Sequence, residues 1–199
     1  MDQLRACGEA ELYLSRIRAA IDGVDLAAVA EAAQLLLEAR QANSLVLVAG
    51  NGGSASTASH MATDLGVGSH KGGVGLRAIC LSDNASVLTA TANDLSFNRV
   101  FAEQIELLAN EGDVVILISA SGNSPNILDA VESAQKVGAS VIALTGFDGG
   151  RLRELAANCV HVPTAKGDYG PVEDVHLMIN HMLTEMIRQA PIRRAEPAT

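Results

Sequence analysis

The stretch SLVLVAGNGGSASTASHMATDLG, Ser44–Gly66, changes its periodicity part-way along. SLVLVAG is a short apolar run ending in glycine, which reads as a buried strand. GNGGSAS is a loop of small residues and hydroxyls, and STASHMATDL reads as a helix behind it. Glycines let backbone N–H groups approach a ligand, and a helix N-terminus adds unpaired donors and a positive dipole end. The stretch therefore predicts a strand, an anion-binding loop and a helix, with His60 and Asp64 four residues apart on one helix face.

The same order recurs outward from it. LRAICLS (Leu76–Ser82), DVVILISAS (Asp113–Ser121), SVIALTG (Ser140–Gly146) and CVHVPT (Cys159–Thr164) read as four more strands. Helices are predicted for NASVLTATAND, for FNRVFAEQIELLA as one continuous helix, for SPNILDAVESAQKVG, for GGRLRELAA, and for the closing VEDVHLMINHMLTEMIRQA. Upstream, Leu4–Ala20 and Leu26–Ala42 read as amphipathic helices joined near Gly23. Five strands alternating with helices predict an α/β fold. Its five-stranded parallel sheet is sandwiched by helices in three layers, as a single domain over residues 1–199. The apolar stripes of the first two helices, within residues 1–43, exceed what one small sheet face needs, which points to packing between subunits.

Composition narrows the function classes. The chain has 199 residues, 48% hydrophobic and 19% charged, as in a soluble globular domain. A net charge of −9 argues against non-specific nucleic-acid binding, so an anionic substrate needs local donors. No run approaches the ~20 apolar residues of a membrane span, and the N-terminus lacks the apolar core of a signal peptide. Cys7, Cys80 and Cys159 have no metal or disulfide spacing. They are expected to be reduced thiols in a cytoplasm, with Cys80 and Cys159 buried and inert.

Ligands of parallel sheets bind beyond the strands' carboxyl ends. Those ends carry GNGGSAS, SDNAS, SASGNSPN (Ser119–Asn126) and TGFDGG. Taken singly, each is explained by ordinary helix capping and turn chemistry. Two dense Gly/Ser loops on one sheet suggest more. Neither matches a P-loop or a dinucleotide fingerprint, so they read as a phosphate cradle made of serine and backbone, without a nucleotide.

GNGGSAS, LSDNASVLTATAND, SASGNSPN and ALTGFDGG together resemble the sugar isomerase (SIS) domain family, most closely its phosphoheptose isomerases. The resemblance covers nearly the whole chain. It implies an aldose–ketose isomerase that converts sedoheptulose 7-phosphate to D-glycero-D-manno-heptose 7-phosphate through an enediol, for nucleotide-activated heptose synthesis. It also implies a homotetramer. By the same resemblance, Ser119, Ser121 and Ser124, with Ala120 between them, bind phosphate. Gly52, Gly53 and Ser54 hold the sugar and its phosphate end, and Asn51 and Asp94 contact sugar hydroxyls.

The closing helix brings Glu173, Asp174, His176 and His181, and acids beside histidines suit zinc and similar ions. The resemblance implies one divalent metal, zinc, per subunit. Its ligands would be His60, Asp64, Glu173 and His181, with Asp64 as catalytic base, His181 as acid, and Glu173 also facing substrate. Three positions depart from the family pattern. Asp64 stands for Glu and is shorter by one methylene, about 1.5 Å of reach. Glu173 stands for Gln and adds a negative charge. Around Gly68 the family's Arg is missing, and His70 or Lys71 is the available substitute. The segment SHKGGVG reads as a mobile lid or simply a loop. Glu173 and His181 lie about 12 Å apart along a helix and about 80° around it, a demanding separation for one ion. His176, about 140° from His181, is a poor co-ligand and is expected to pack or hydrogen-bond elsewhere. Two other readings stay open: a non-enzymatic SIS protein that binds a phosphosugar or a partner such as a replication initiator, and an isomerase of another sugar phosphate.

Overall fold

The computed structural model describes residues 3–70 and 75–191. Two helices, α1 (Gln3–Asp22) and α2 (Leu26–Ala42), precede the sheet. Asp25 caps α2 by accepting from Ala27 N, and Asn43 ends it in the left-handed region. The sheet strands are β1 (Leu45–Gly50), β2 (Arg77–Cys80), β3 (Val114–Ser119), β4 (Ser140–Thr145) and β5 (Asn158–His161). All pair in parallel, in the order β2-β1-β3-β4-β5. The intervening helices are α3 (Gly53–Thr63), α4 (Ala85–Asp94), α5 (Ala102–Leu108), α6 (Pro125–Val137) and α7 (Gly150–Leu155), and α8 (Tyr169–Gln189) is the last of the described elements.

Strand residues alternate between two cores, because successive side chains point to opposite faces. Val46, Val48, Ile116, Ile118, Ile142 and Leu144 face α2, α3 and α8. Leu47, Ala49, Val115, Leu117, Val141 and Ala143 face α5, α6 and α7. β1 and β3 are fully buried, which explains their unbroken apolar runs. The helices that follow β1 and β3 cover opposite faces, so a crevice opens between these two strand ends, where ligands bind in such folds.

Three local readings are corrected. FNRVFAEQIELLA is not one helix. A 3-10 turn spans Phe97–Arg99, and α5 begins only at Ala102. The break turns both Val100 and Phe101 inward to full burial, and Gln104 Nε2 donates to the carbonyls of Val100 and Leu81. Secondly, α3 passes into a π-helical turn over Asp64–Gly68, for which the sequence has no propensity signal. Thirdly, Cys80 is buried and its thiol is pushed up to about 11 by burial, but Cys159 is only half-buried. Residues 71–74, with Lys71 and most of the expected lid, lie outside the described residues.

Candidate active site

The crevice is lined by both Gly/Ser loops. After β1 the chain turns through Gly52 at φ +54°, a left-handed conformation that favours glycine, and α3 starts at once. After β3, Gly122 sits at φ +61°, and a Cβ there would lie 1.9 Å from the Gly149 carbonyl oxygen. Gly122 N donates to Ser119 Oγ, and Leu152 N donates to the Gly122 carbonyl. Asn123 ties the loop to α7 by accepting from Arg151 N. The Asn51 and Asn126 carboxamides exchange two hydrogen bonds of 2.9 and 2.8 Å and lock the two loops together.

A cleft results, walled by Asn51, Ser54, Ser119, Ala120, Ser121 and Ser124, with Tyr169 and Glu173 from the start of α8. Ser124 occupies the N-cap position of α6, but its side chain makes no cap hydrogen bond. Its hydroxyl lies 3.4 Å from Ser119 Oγ instead, so simple helix capping does not account for it. Pro125 holds the first helical position, where its missing N–H is harmless. A ring of hydroxyls at two helix N-termini can bind an anion through neutral donors.

A second group of side chains lies further along α3. His60 Nε2 is 3.3 Å from Asp64 Oδ2, and His181 Nε2 is 3.8 Å from the same oxygen. The two imidazoles meet edge to face at 5.2 Å between ring centroids. One ligand atom from each of the three residues lies within 4.8 Å of the others. Their side chains are 46%, 22% and 55% exposed, so a substrate can reach them. Two imidazole nitrogens and a carboxylate, with the remaining positions open, fit a catalytic divalent ion.

The structure does not assemble the four expected ligands. Glu173 is outside the cluster of His60, Asp64 and His181. It lies against Gly53, where a Cβ would come within 2.3 Å of Glu173 Oε2. The physical reason is the eight-residue spacing on α8, which puts Glu173 at the cleft and His181 about two turns away. Asp94 is not in the cleft either. It ends α4, exposed, and accepts from Asn93 Nδ2. His70 is exposed, lines a surface pocket with Gly68, Glu185 and Arg188, and is neither in the serine cleft nor in the His60–Asp64–His181 cluster.

His176 is fully buried, and Nε2 donates to the Thr145 carbonyl at 3.1 Å. Burial drives the imidazole down to about 4, so it is neutral and pins α8 to β4. Two residues at the site have no counterpart in the sequence reading. Asn180 Nδ2 donates to Asp64 Oδ2 at 2.7 Å. Asn126 completes the amide pair between the loops. The one available signal for Asn180 is a carboxamide in the apolar stripe Val172, Val175, Ile179, Leu183.

Comparison with known proteins agrees with the fold. The SIS domain family model matches residues 12–146. A phosphoheptose isomerase of Helicobacter pylori is 41% identical over 160 residues, 80% of this chain and 82% of that protein. One from Rhodospirillum rubrum is 37% identical over 163 residues, 82% and 86% of the two chains. The structure of phosphoheptose isomerase GmhA from Neisseria gonorrhoeae superposes with a TM-score of 0.84 at 30% identity, covering 94% of this chain and 99% of that one.

Proposed function

This chain belongs to the SIS domain family, and on that premise we propose that it is an aldose–ketose isomerase acting on sedoheptulose 7-phosphate. The observation that carries the reading is the placement of two unlike groups on one helix. Ser54, at the start of α3, faces the serine cleft, and His60 and Asp64 lie further on. The rise from Ser54 to His60 is about 9 Å, which leaves several sugar carbons between a bound phosphate and the reacting end.

Ser119, Ser121 and Ser124 hold the phosphate, so that binding far from the chemistry orients C1 and C2. Asp64 takes a proton from C1 of the ketose and returns one to C2, while His181 moves the balancing proton from O1 to O2. The intermediate is an enediol, and the product is the aldose, D-glycero-D-manno-heptose 7-phosphate, a precursor of nucleotide-activated heptose. His60, Asp64 and His181 would hold one divalent ion, zinc in this reading, which supplies Lewis-acid polarisation of the sugar oxygens. Glu173 belongs to the cleft, where its carboxylate faces sugar hydroxyls. It is not counted among the ligands.

The proposal extends to a cytoplasmic homotetramer. Leu4, Leu12, Leu14 and Leu26 of α1 and α2 are exposed, and α4 buries no residue at all, which supports contact with other subunits. Cys7, Cys80 and Cys159 are free, as in a reducing compartment. No described helix is long and apolar enough to cross a membrane.

The test is metal analysis of purified protein, followed by sedoheptulose 7-phosphate turnover with and without chelator. About one divalent ion per chain with chelator-sensitive isomerisation is the expected result. Metal without turnover would transfer the reading to another sugar phosphate, to which Asp64, Glu173 and the missing arginine would then belong. Neither metal nor turnover would favour the non-enzymatic class.

A further inference from the structure

Asn180 is fully buried on α8, on the side that meets the π-helical turn after α3. Its amide nitrogen donates to Asp64 Oδ2, but its own carbonyl oxygen is buried without a partner. An orphaned buried acceptor is destabilising, and an apolar side chain of the same size would avoid that cost. The residue therefore weakens this part of the core unless its single hydrogen bond serves something else.

The oxygen that accepts from Asn180 is the one that lies nearest both imidazoles. Asp64 opens the π-helical turn, where the backbone is irregular, and its neighbour Gly68 offers no side chain to brace it. An aspartate is also about 1.5 Å shorter than the glutamate of the family pattern. It reaches one meeting point with His60 and His181 only when its rotamer is fixed.

We propose that Asn180 is the positioning residue for Asp64: its carboxamide, reaching across from α8, holds the short carboxylate at the point where His60 and His181 converge. Asn180 touches neither substrate nor ion and acts only through Asp64. The inference rests on the metal-site reading above. Such hydrogen bonds to ligating groups typically change metal affinity by about 10–100-fold.

The test uses the whole protein, stripped of metal, and titrates zinc calorimetrically and cobalt by its visible absorption. The variants are Asn180→Leu, Asn180→Ser in case the leucine does not fold, Asp64→Glu, and the two double variants. Melting of the metal-free proteins checks the fold independently. The expected result is at least a tenfold loss of zinc affinity and an altered cobalt spectrum for the Asn180 variants, with metal-free melting unchanged or raised. In the Asp64→Glu background the same change at 180 costs less than threefold, because the longer side chain does not need the brace. Equal losses in both backgrounds, or wild-type zinc affinity in Asn180→Leu or Asn180→Ser, would overturn the proposal. A wild-type protein that takes up neither metal would overturn the metal reading itself, and this role with it.

Discussion

The serine cleft and the His60–Asp64–His181 cluster share helix α3, yet they are built by different means. The cleft is backbone and neutral hydroxyl. Its shape is set by glycines at positive φ and by the Asn51–Asn126 amide pair, all within the segments that lead from adjacent strands into the first turn of the next helix. The cluster is made of titratable side chains, and it exists only because α8 packs beside α3. One region is shaped by local backbone conformation. The other depends on long-range docking and on a carboxylate held in place. Binding and chemistry should therefore be separable by mutation.

Asp64→Asn should separate them most sharply. Turnover should fall about 10²–10⁴-fold, the usual scale for a lost general base. Inorganic phosphate should bind as before, by calorimetric titration. If phosphate binding fell in parallel, the two regions would be one.

His176 tests whether α8 stands apart from the sheet. Its imidazole is neutral in the fold, at about 4, against an ordinary value of 6.5. The unfolded chain therefore binds more protons between these values. Stability is intact above pH 6.5 and falls as pH drops toward 4, by an amount on the order of 3 kcal/mol. Urea unfolding of His176→Asn should lack most of this acid-side slope. An unchanged slope would assign it to other groups.

Ser124→Ala should act on the cleft alone. Loss of one hydrogen bond to a charged phosphate, about 1.5–3 kcal/mol, should raise KM roughly 10–100-fold while leaving kcat and metal content unchanged. Because Ser124 does not cap α6, melting should hardly move. The smallest effect is expected for Pro125→Ala. It should cost about 0.4–1 kcal/mol in urea unfolding by loosening the unfolded chain, with no change in KM.

The same contrast explains what the sequence made legible. Apolar runs ending in Gly/Ser loops place the five strands and the cleft, because a strand, its turn and the next helix cap are local features. His60 and Asp64 are legible as a pair from their four-residue spacing. Asn180 is not, since its meaning depends on which side chain just beyond α3 it faces, 116 residues away. The π turn is equally hidden, because no residue type favours it strongly. FNRVFAEQIELLA has apolar spacing compatible with one helix, and only burial of Val100 and Phe101 together breaks it. The family pattern puts Glu173 among the metal ligands, and the eight residues that separate it from His181 along a rigid helix place it at the cleft instead.

The position of α8, after all five strands and across from α3, also fixes an order of assembly. During synthesis the first helices and the strands emerge before it, and chains fold from the N-terminal side as they appear. His181 and Asn180 arrive only after β5. A nascent chain can therefore complete its sheet while still lacking the second imidazole, and the full triad forms only as α8 docks.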